Sequence, residues 1–154
     1  RNRRTGQSCP RGNPDRYSPM KFADLKEGQK LPIRTHTATH VSLFCYNAAV
    51  WNPHRIHYDQ HYTTEVERHP GIVIDGPLQG DWISQVVLNW IGNDAELTQF
   101  SYANRQAAYL GETLTSGGSV TVIDEASRAV GLALFIKNQQ GDVITPGTAR
   151  ITFK

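Results

Sequence analysis

The chain has 154 residues, of which 38% are hydrophobic and 19% charged, with a formal net charge of +2. This composition fits one globular domain with a sizeable core, and so small a charge excess gives no reason to expect nucleic-acid binding. No apolar run reaches the roughly 18 residues of a membrane span, and no apolar signal segment opens the chain.

The positive charge is uneven. Arg1, Arg3, Arg4, Arg11 and Arg16 crowd the start, and Asp15 is the first acid. With its Pro, Gly, Asn and Ser content, the stretch 1–19 is expected to be an irregular basic arm, solvated rather than dedicated to a phosphate or a partner. Residues 20–154 are expected to form a single domain. Cys9 and Cys45 form no C-x-x-C pair and no disulfide framework, so free thiols in a reducing compartment are expected. That compartment is the cytoplasm or, because the first residue is Arg1 and a removed leader stays open, the mitochondrial matrix.

In chain order, 22–31 reads as a turn at Gly28 leading into a strand over 32–37, with Pro32 tolerable at its start. Thr39 is placed to cap a helix over 40–49, in which Val41, Phe44, Cys45 and Ala48 make one apolar face. Pro53 disfavours helix at Asn52, so 51–56 is a loop, and a short helical turn follows near 59–66 with Glu65, Glu67 and Arg68 on its solvated side. The β-branched run 71–74 ends in Asp75-Gly76-Pro77. From Pro77 to Ile91 the period becomes helical through Leu78, Ile83, Val86, Val87, Trp90 and Ile91, with Gly92 as the stop. This helix should be long and largely buried. Strands are then expected over 96–105, 113–124, 129–137 and 148–153, the last three as an antiparallel meander. The pattern is α+β, a sheet wrapped around one buried helix, with an edge and a face that dimerisation would cover.

Two segments stand out chemically. Asn52-Pro53-His54-Arg55-Ile56-His57-Tyr58-Asp59 concentrates acid–base and polar side chains, and Asp75-Gly76-Pro77-Leu78 opens the long helix. These motifs, with Pro70-Gly71-Ile72-Val73 and the looser Tyr102-Ala103-Asn104-Arg105 and Leu110-Gly111-Glu112-Thr113-Leu114, resemble the MaoC-like hot-dog acyl dehydratases and hydratases. The nearest subgroup carries a His-Arg-Ile-His-Tyr-Asp signature and includes mesaconyl-CoA hydratase-like and 3-hydroxyacyl-thioester dehydratase-like proteins. The resemblance spans roughly residues 20–153.

The resemblance implies a hot-dog fold and a dimer, either of two identical chains or with a second hot-dog chain. It also implies an acyl thioester of coenzyme A or acyl carrier protein as substrate, with no cofactor. Water is added to a 2-enoyl thioester or removed from a 3-hydroxyacyl thioester. The family's Asp-x-Asn-Pro-x-His pattern, aligned on its histidine, puts the catalytic His at His57 and the catalytic Asp at Asn52. Here that aspartate is an asparagine, which sets a two-residue acid–base mechanism in question. Where many relatives have His-Gly, this chain has Asp75-Gly76, and Asp75 is expected to point away from the thioester oxygen.

Hydration of an enoyl thioester needs a base for water, a donor for the thioester carbonyl and a proton for the α-carbon. His57 is the expected base, since an imidazole titrates near pH 6.5. Asn52 can position water or substrate but is no base. The Gly76 amide, at a helix start, is the expected carbonyl donor. His54, Arg55, Pro77, Leu78 and Trp82 are the expected substrate-binding residues, Trp82 as an acyl-tunnel wall and Arg55 either on a coenzyme A phosphate or paired with Asp59. Asp59 is expected to cap the turn after it. His54, His57 and His61 also have a spacing compatible with metal ligation, but Pro53 spoils a helical face there and no metal is expected. Two alternatives stand beside the hydratase: a non-catalytic acyl-binding subunit of a heteromeric hot-dog hydratase, favoured by Asn52, and a hot-dog thioesterase, for which Asp75 is the available carboxylate.

Overall fold

The computed structural model describes residues 21–154. The basic arm over 1–19 and Cys9 lie outside the described residues. Strand β1 (Arg34–Thr37) precedes helix α1 (His40–Val50). Then come a 3₁₀ turn (Arg55–His57), a π-helical turn (Tyr62–Val66) and the long helix α2 (Gly76–Ile91). Strands β2 (Ala95–Tyr102), β3 (Thr113–Asp124), β4 (Ala129–Lys137) and β5 (Val143–Phe153) complete the chain. The five strands form one antiparallel sheet in the order β1-β3-β4-β5-β2, so the meander expected from β3 to β5 is its centre. β5 begins five residues earlier than expected, at Val143: Pro146 pairs with Phe135 and Gly147 with Leu134. A proline can sit where the ladder does not need its missing N–H.

The sheet curls around α2. Ile83, Val86, Val87, Trp90 and Ile91 repeat at helical spacing and are buried against Leu132, Leu134 and Ile151 of the sheet. Each such side chain contributes about 1.5–3 kcal/mol of apolar burial. Gly80 lies on the same inner face, where an added Cβ would come within 2.4 Å of the Tyr102 ring. Gly92 stops the helix with φ 58°. This is the hot-dog architecture: an antiparallel sheet wrapped around one long buried helix.

Helix α1 is capped as expected. Thr39 accepts from Ser42 N–H at 3.1 Å, and the Ser42 hydroxyl takes the Thr39 N–H at 2.8 Å. Its apolar face faces outward, however. Val41 and Phe44 are 72% and 61% exposed, Cys45 is exposed, and the helix buries Leu43 and Asn47 instead. Val41, Phe44 and Ala48 satisfy helical spacing as well as Leu43 and Asn47 do, so spacing alone does not select the stripe that meets the core.

Candidate active site

Three short segments meet at the N-terminal end of α2. The first leaves α1 through Trp51 in the left-handed region (φ 55°), and the Asn52 N–H returns to the Asn47 carbonyl at 2.9 Å. The Asn52 side-chain carbonyl accepts from the His54 N–H at 3.1 Å, an Asx turn that starts the loop. The Tyr58 hydroxyl closes it on the Pro53 carbonyl at 2.8 Å. The 3₁₀ turn that follows carries His57 inward, where it is buried.

The second segment is the run 70–75. Val73 N–H donates to the Ile56 carbonyl at 3.0 Å, Ile74 N–H to the Ala108 carbonyl and Leu110 N–H to the Ile72 carbonyl, both at 2.8 Å. It is thus held like a strand between the histidine loop and residues 108–110, and it delivers Asp75 and Gly76 to the head of α2. The third segment is Asn104, whose side-chain nitrogen lies only 2.1 Å from where a Gly76 Cβ would stand. Glycine is required at 76 for that approach. The Thr145 hydroxyl anchors this corner, reaching Gln79 Oε1 at 2.6 Å and Asn104 Oδ1 at 3.1 Å.

His57 Nδ1 is 2.8 Å from the Val73 carbonyl oxygen. A carbonyl only accepts, so Nδ1 carries the hydrogen and Nε2 is the basic nitrogen. Nε2 lies 3.5 Å from Asp75 Oδ1. The same oxygen accepts from Asn52 Nδ2 at 2.8 Å, and Asp75 Oδ2 accepts from Asn47 Nδ2 at 2.8 Å. Asp75 is wholly buried. The expectation that Asp75 points away therefore fails. As N-cap residue it makes no side-chain bond to its own helix, and its carboxylate turns instead into the group formed by Asn47, Asn52 and His57.

The structure thus brings Asn52, His57 and Gly76 to one end of α2. The expected substrate-binding residues are dispersed. His54 is exposed, its ring edge-on to His57 with centroids 5.8 Å apart. Arg55 is committed internally: it holds Asp59 Oδ2 at 2.6 Å and lies 4.2 Å over the Tyr62 ring, so of its two expected roles the structure shows the pair with Asp59. Asp59 also accepts from Tyr62 N–H at 3.0 Å. That backbone bond and then Arg55 hold its carboxyl below the ordinary range, and it caps the next turn as expected. Pro77 is exposed and Leu78 packs on the core margin. Trp82 is stacked flat on His36, centroids 4.5 Å apart and planes within 8°, a contact with β1 that the helical pattern of α2 could not reveal. The cavity that opens beside Asn47 and Asn52 is lined by Phe44, Ala48, Trp51, Pro53 and Tyr58, so Trp51 is the tryptophan next to the site. Among the described residues no group of three or more His, Cys, Asp or Glu could hold a metal ion, and no helix is long and apolar enough to cross a membrane.

Sequence reasoning missed Asn47 and Asn104 and misdirected Asp75. Asn47 could have been found as the polar residue one turn after Leu43 on the buried stripe of α1. Nothing in the sequence signals which way an N-cap aspartate turns.

A curled sheet around α2, with a histidine loop and a glycine amide meeting at the head of that helix, defines a hot-dog domain. The chain belongs to the family described as hydroxyacyl-thioester dehydratase type 2, whose model matches residues 8–110. It is 25% identical over 103 residues to the mitochondrial hydroxyacyl-thioester dehydratase type 2 of Saccharomyces cerevisiae, covering 67% of this chain and 36% of that protein. Over 36 residues it is 50% identical to the mesaconyl-C(4)-CoA hydratase of Chloroflexus aurantiacus, covering 23% of this chain and 13% of that one. The chain therefore spans about a third or less of the curated relatives it matches. Among solved structures, the (R)-hydratase of A. caviae involved in PHA biosynthesis superposes with a TM-score of 0.77 at 18% identity, covering 84% of this chain and 98% of that one, a likeness of fold.

Proposed function

We propose that this domain adds water to a 2-enoyl thioester, or removes it from a 3-hydroxyacyl thioester, on coenzyme A or acyl carrier protein. The observation that carries the reading is the fixed tautomer of His57: Nδ1–H is tied to the Val73 carbonyl, so Nε2 is free to take a proton at the end of α2 where the Gly76 amide lies. Water gives its proton to Nε2 and its oxygen to C3 of the enoyl group. The C2–C3 π pair moves toward the thioester, whose oxygen gathers negative charge. The Gly76 N–H, at a helix end without an intrahelical acceptor, stabilises that charge. The proton is then returned to C2, and net addition of water is complete. Asn52 orients the site rather than acting as a base.

The apolar cavity walled by Phe44, Ala48 and Trp51 suits the acyl chain, and the outward apolar face of α1 suits a dimer, homomeric or with a second hot-dog chain. The word mitochondrial in the yeast relative's name supports that compartment over the cytoplasm. The test is spectrophotometric: crotonyl-CoA and longer enoyl-CoAs should lose their conjugated absorbance with the protein, and His57→Ala should abolish most of that rate. Full activity in His57→Ala, or no turnover of any enoyl thioester, contradicts the reading. One observation favours a second reading: Asp75 reaches the site, and a thioesterase needs a carboxylate near the thioester. Release of free thiol from acyl-CoA, with no hydration, would decide for it.

A further inference from the structure

We propose that Asp75 supplies the carboxylate that position 52 lacks, as a positioning residue that acts through His57 and holds the transferred proton's charge. The proposal rests on the hydratase reading above and adds a group to its machinery.

Three observations converge on it. An aspartate at a helix N-cap ordinarily accepts a backbone N–H of the first turn, an interaction worth about 0.5–2 kcal/mol. Asp75 forgoes that bond entirely. Its oxygens are instead taken by the amides of Asn47 and Asn52, each at 2.8 Å. Both amide nitrogens can only donate, so both carboxyl oxygens serve as acceptors, next to the favourable end of the α2 dipole.

Second, this arrangement is maintained at a cost elsewhere. Asn47 Nδ2 donates to the Leu43 carbonyl as well as to Asp75, which leaves Asn47 Oδ1 buried with no hydrogen-bond partner. A buried orphan acceptor costs about 1–3 kcal/mol. Turning the amide over would set Oδ1 against two acceptors, so the orphan is the price of anchoring Asp75.

Third, no Lys or Arg among the described residues pairs with Asp75. The cationic partner available to it is His57, with Nε2 at 3.5 Å from Oδ1. Since Nδ1 already carries a hydrogen, the proton taken from water goes to Nε2, the nitrogen that faces Asp75. The imidazolium is thus formed against a fixed anion in a buried site, where opposite charges interact strongly. The proton then passes from this pair to C2, and the pair returns to neutral imidazole and carboxylate. The pair gains and loses one proton per cycle, and no oxidant, reductant or further reactant is needed. The Tyr46 hydroxyl of α1 is also raised above its ordinary range, by burial first, then by its bond to Asp81 at 2.8 Å, with Asp75 a lesser contributor.

The experiment moves the carboxylate. Asp75→Asn should lower kcat for enoyl-CoA hydration at least a hundredfold with KM within about threefold. The exchange variant Asn52→Asp/Asp75→Asn, which puts a carboxylate where the family pattern has one, should recover at least tenfold of that loss. Wild-type hydration with Asp75→Asn unimpaired overturns the inference alone. A loss in Asp75→Asn that the exchange does not relieve assigns Asp75 to structure and also overturns it. Absence of hydration by the wild type overturns the hydratase reading and this inference with it.

Discussion

Asn52 Nδ2 donates to Asp75 Oδ1 at 2.8 Å, and Asn52 Oδ1 accepts from the His54 N–H. The Asn52 side chain thus ties the histidine loop to the head of α2. Asn52→Ala should release both ties. Loss of a hydrogen bond to a buried charged group costs about 1.5–3 kcal/mol, read as a lower midpoint in denaturant, and hydration should fall at least tenfold. A stability change within about 0.5 kcal/mol, the ordinary range of a surface substitution, would contradict this role.

Asn52→Asp gives a signed pH prediction. Two carboxylates at hydrogen-bond distance cannot both ionise readily, so one is raised above its unfolded value. A raised group stabilises the fold below its unfolded pKa, and that stability is lost as pH rises. Relative to the wild type, the variant should therefore be less stable at pH 8 than at pH 5. Melting curves at the two values decide, and an equal difference at both sinks the prediction.

Much of the fold was legible because its signals are local. Thr39 before the α1 periodicity, Gly92 after that of α2, and Gly111 and Gly141, both at φ 90°, mark ends that backbone chemistry enforces. The site was legible in part for the same reason: the Asn52-Pro53 turn and the Gly76 helix start belong to local motifs, and the family pattern supplied His57. What failed depended on tertiary placement. Which stripe of α1 faces inward is decided by Leu43 meeting the core. The direction of Asp75 is decided by two asparagines 28 and 23 residues away in the chain. Trp82 stacks on a histidine from a different element.

Glycine at 118 is demanded by the sheet. A Cβ there would lie 2.6 Å from the Ala133 backbone oxygen and 2.7 Å from Leu134 Cδ2. The carbonyl belongs to a paired central strand and cannot swing aside, so Gly118→Ala should destabilise by about 2–3 kcal/mol. In a domain of this size that is a melting-point loss of roughly 5–10 °C. At Gly76 the obstructing atom ends the exposed side chain of Asn104, so Gly76→Ala should cost less stability while displacing Asn104 from the site. Equal thermal losses in the two variants would falsify this distinction.

His36 lies against Trp82, and its Nε2 is 2.8 Å from the Ser116 hydroxyl. Burial, and then the nearby Arg34, lower its pKa to about 4, against about 6.5 for a free imidazole. Between those values the unfolded chain binds the extra proton, so stability rises with pH there. The contribution is complete above about 6.5 and is lost as pH falls toward 4. The melting temperature should drop across that window, and His36→Gln should flatten part of the slope. An identical acid slope in the variant removes His36 as its source.

The cavity beside Asn52 is walled by Phe44, Ala48 and Trp51, and Trp51 is 88% exposed in the single chain. If this wall receives the acyl chain, its shape sets chain-length preference rather than the chemical step. Each methylene buried there is worth about 0.8 kcal/mol, so two or three lost methylene contacts correspond to roughly a ten- to fiftyfold change in kcat/KM. Ala48→Trp, which fills the groove from an exposed helix position, should leave crotonyl-CoA turnover within about threefold and depress octenoyl-CoA turnover by that larger factor. Trp51→Ala should raise KM for the longer substrate while leaving kcat on crotonyl-CoA nearly constant. The two substrates differ only in apolar length, so a parallel loss for both in Ala48→Trp would mean that the wall serves folding or assembly, and the acyl chain lies elsewhere.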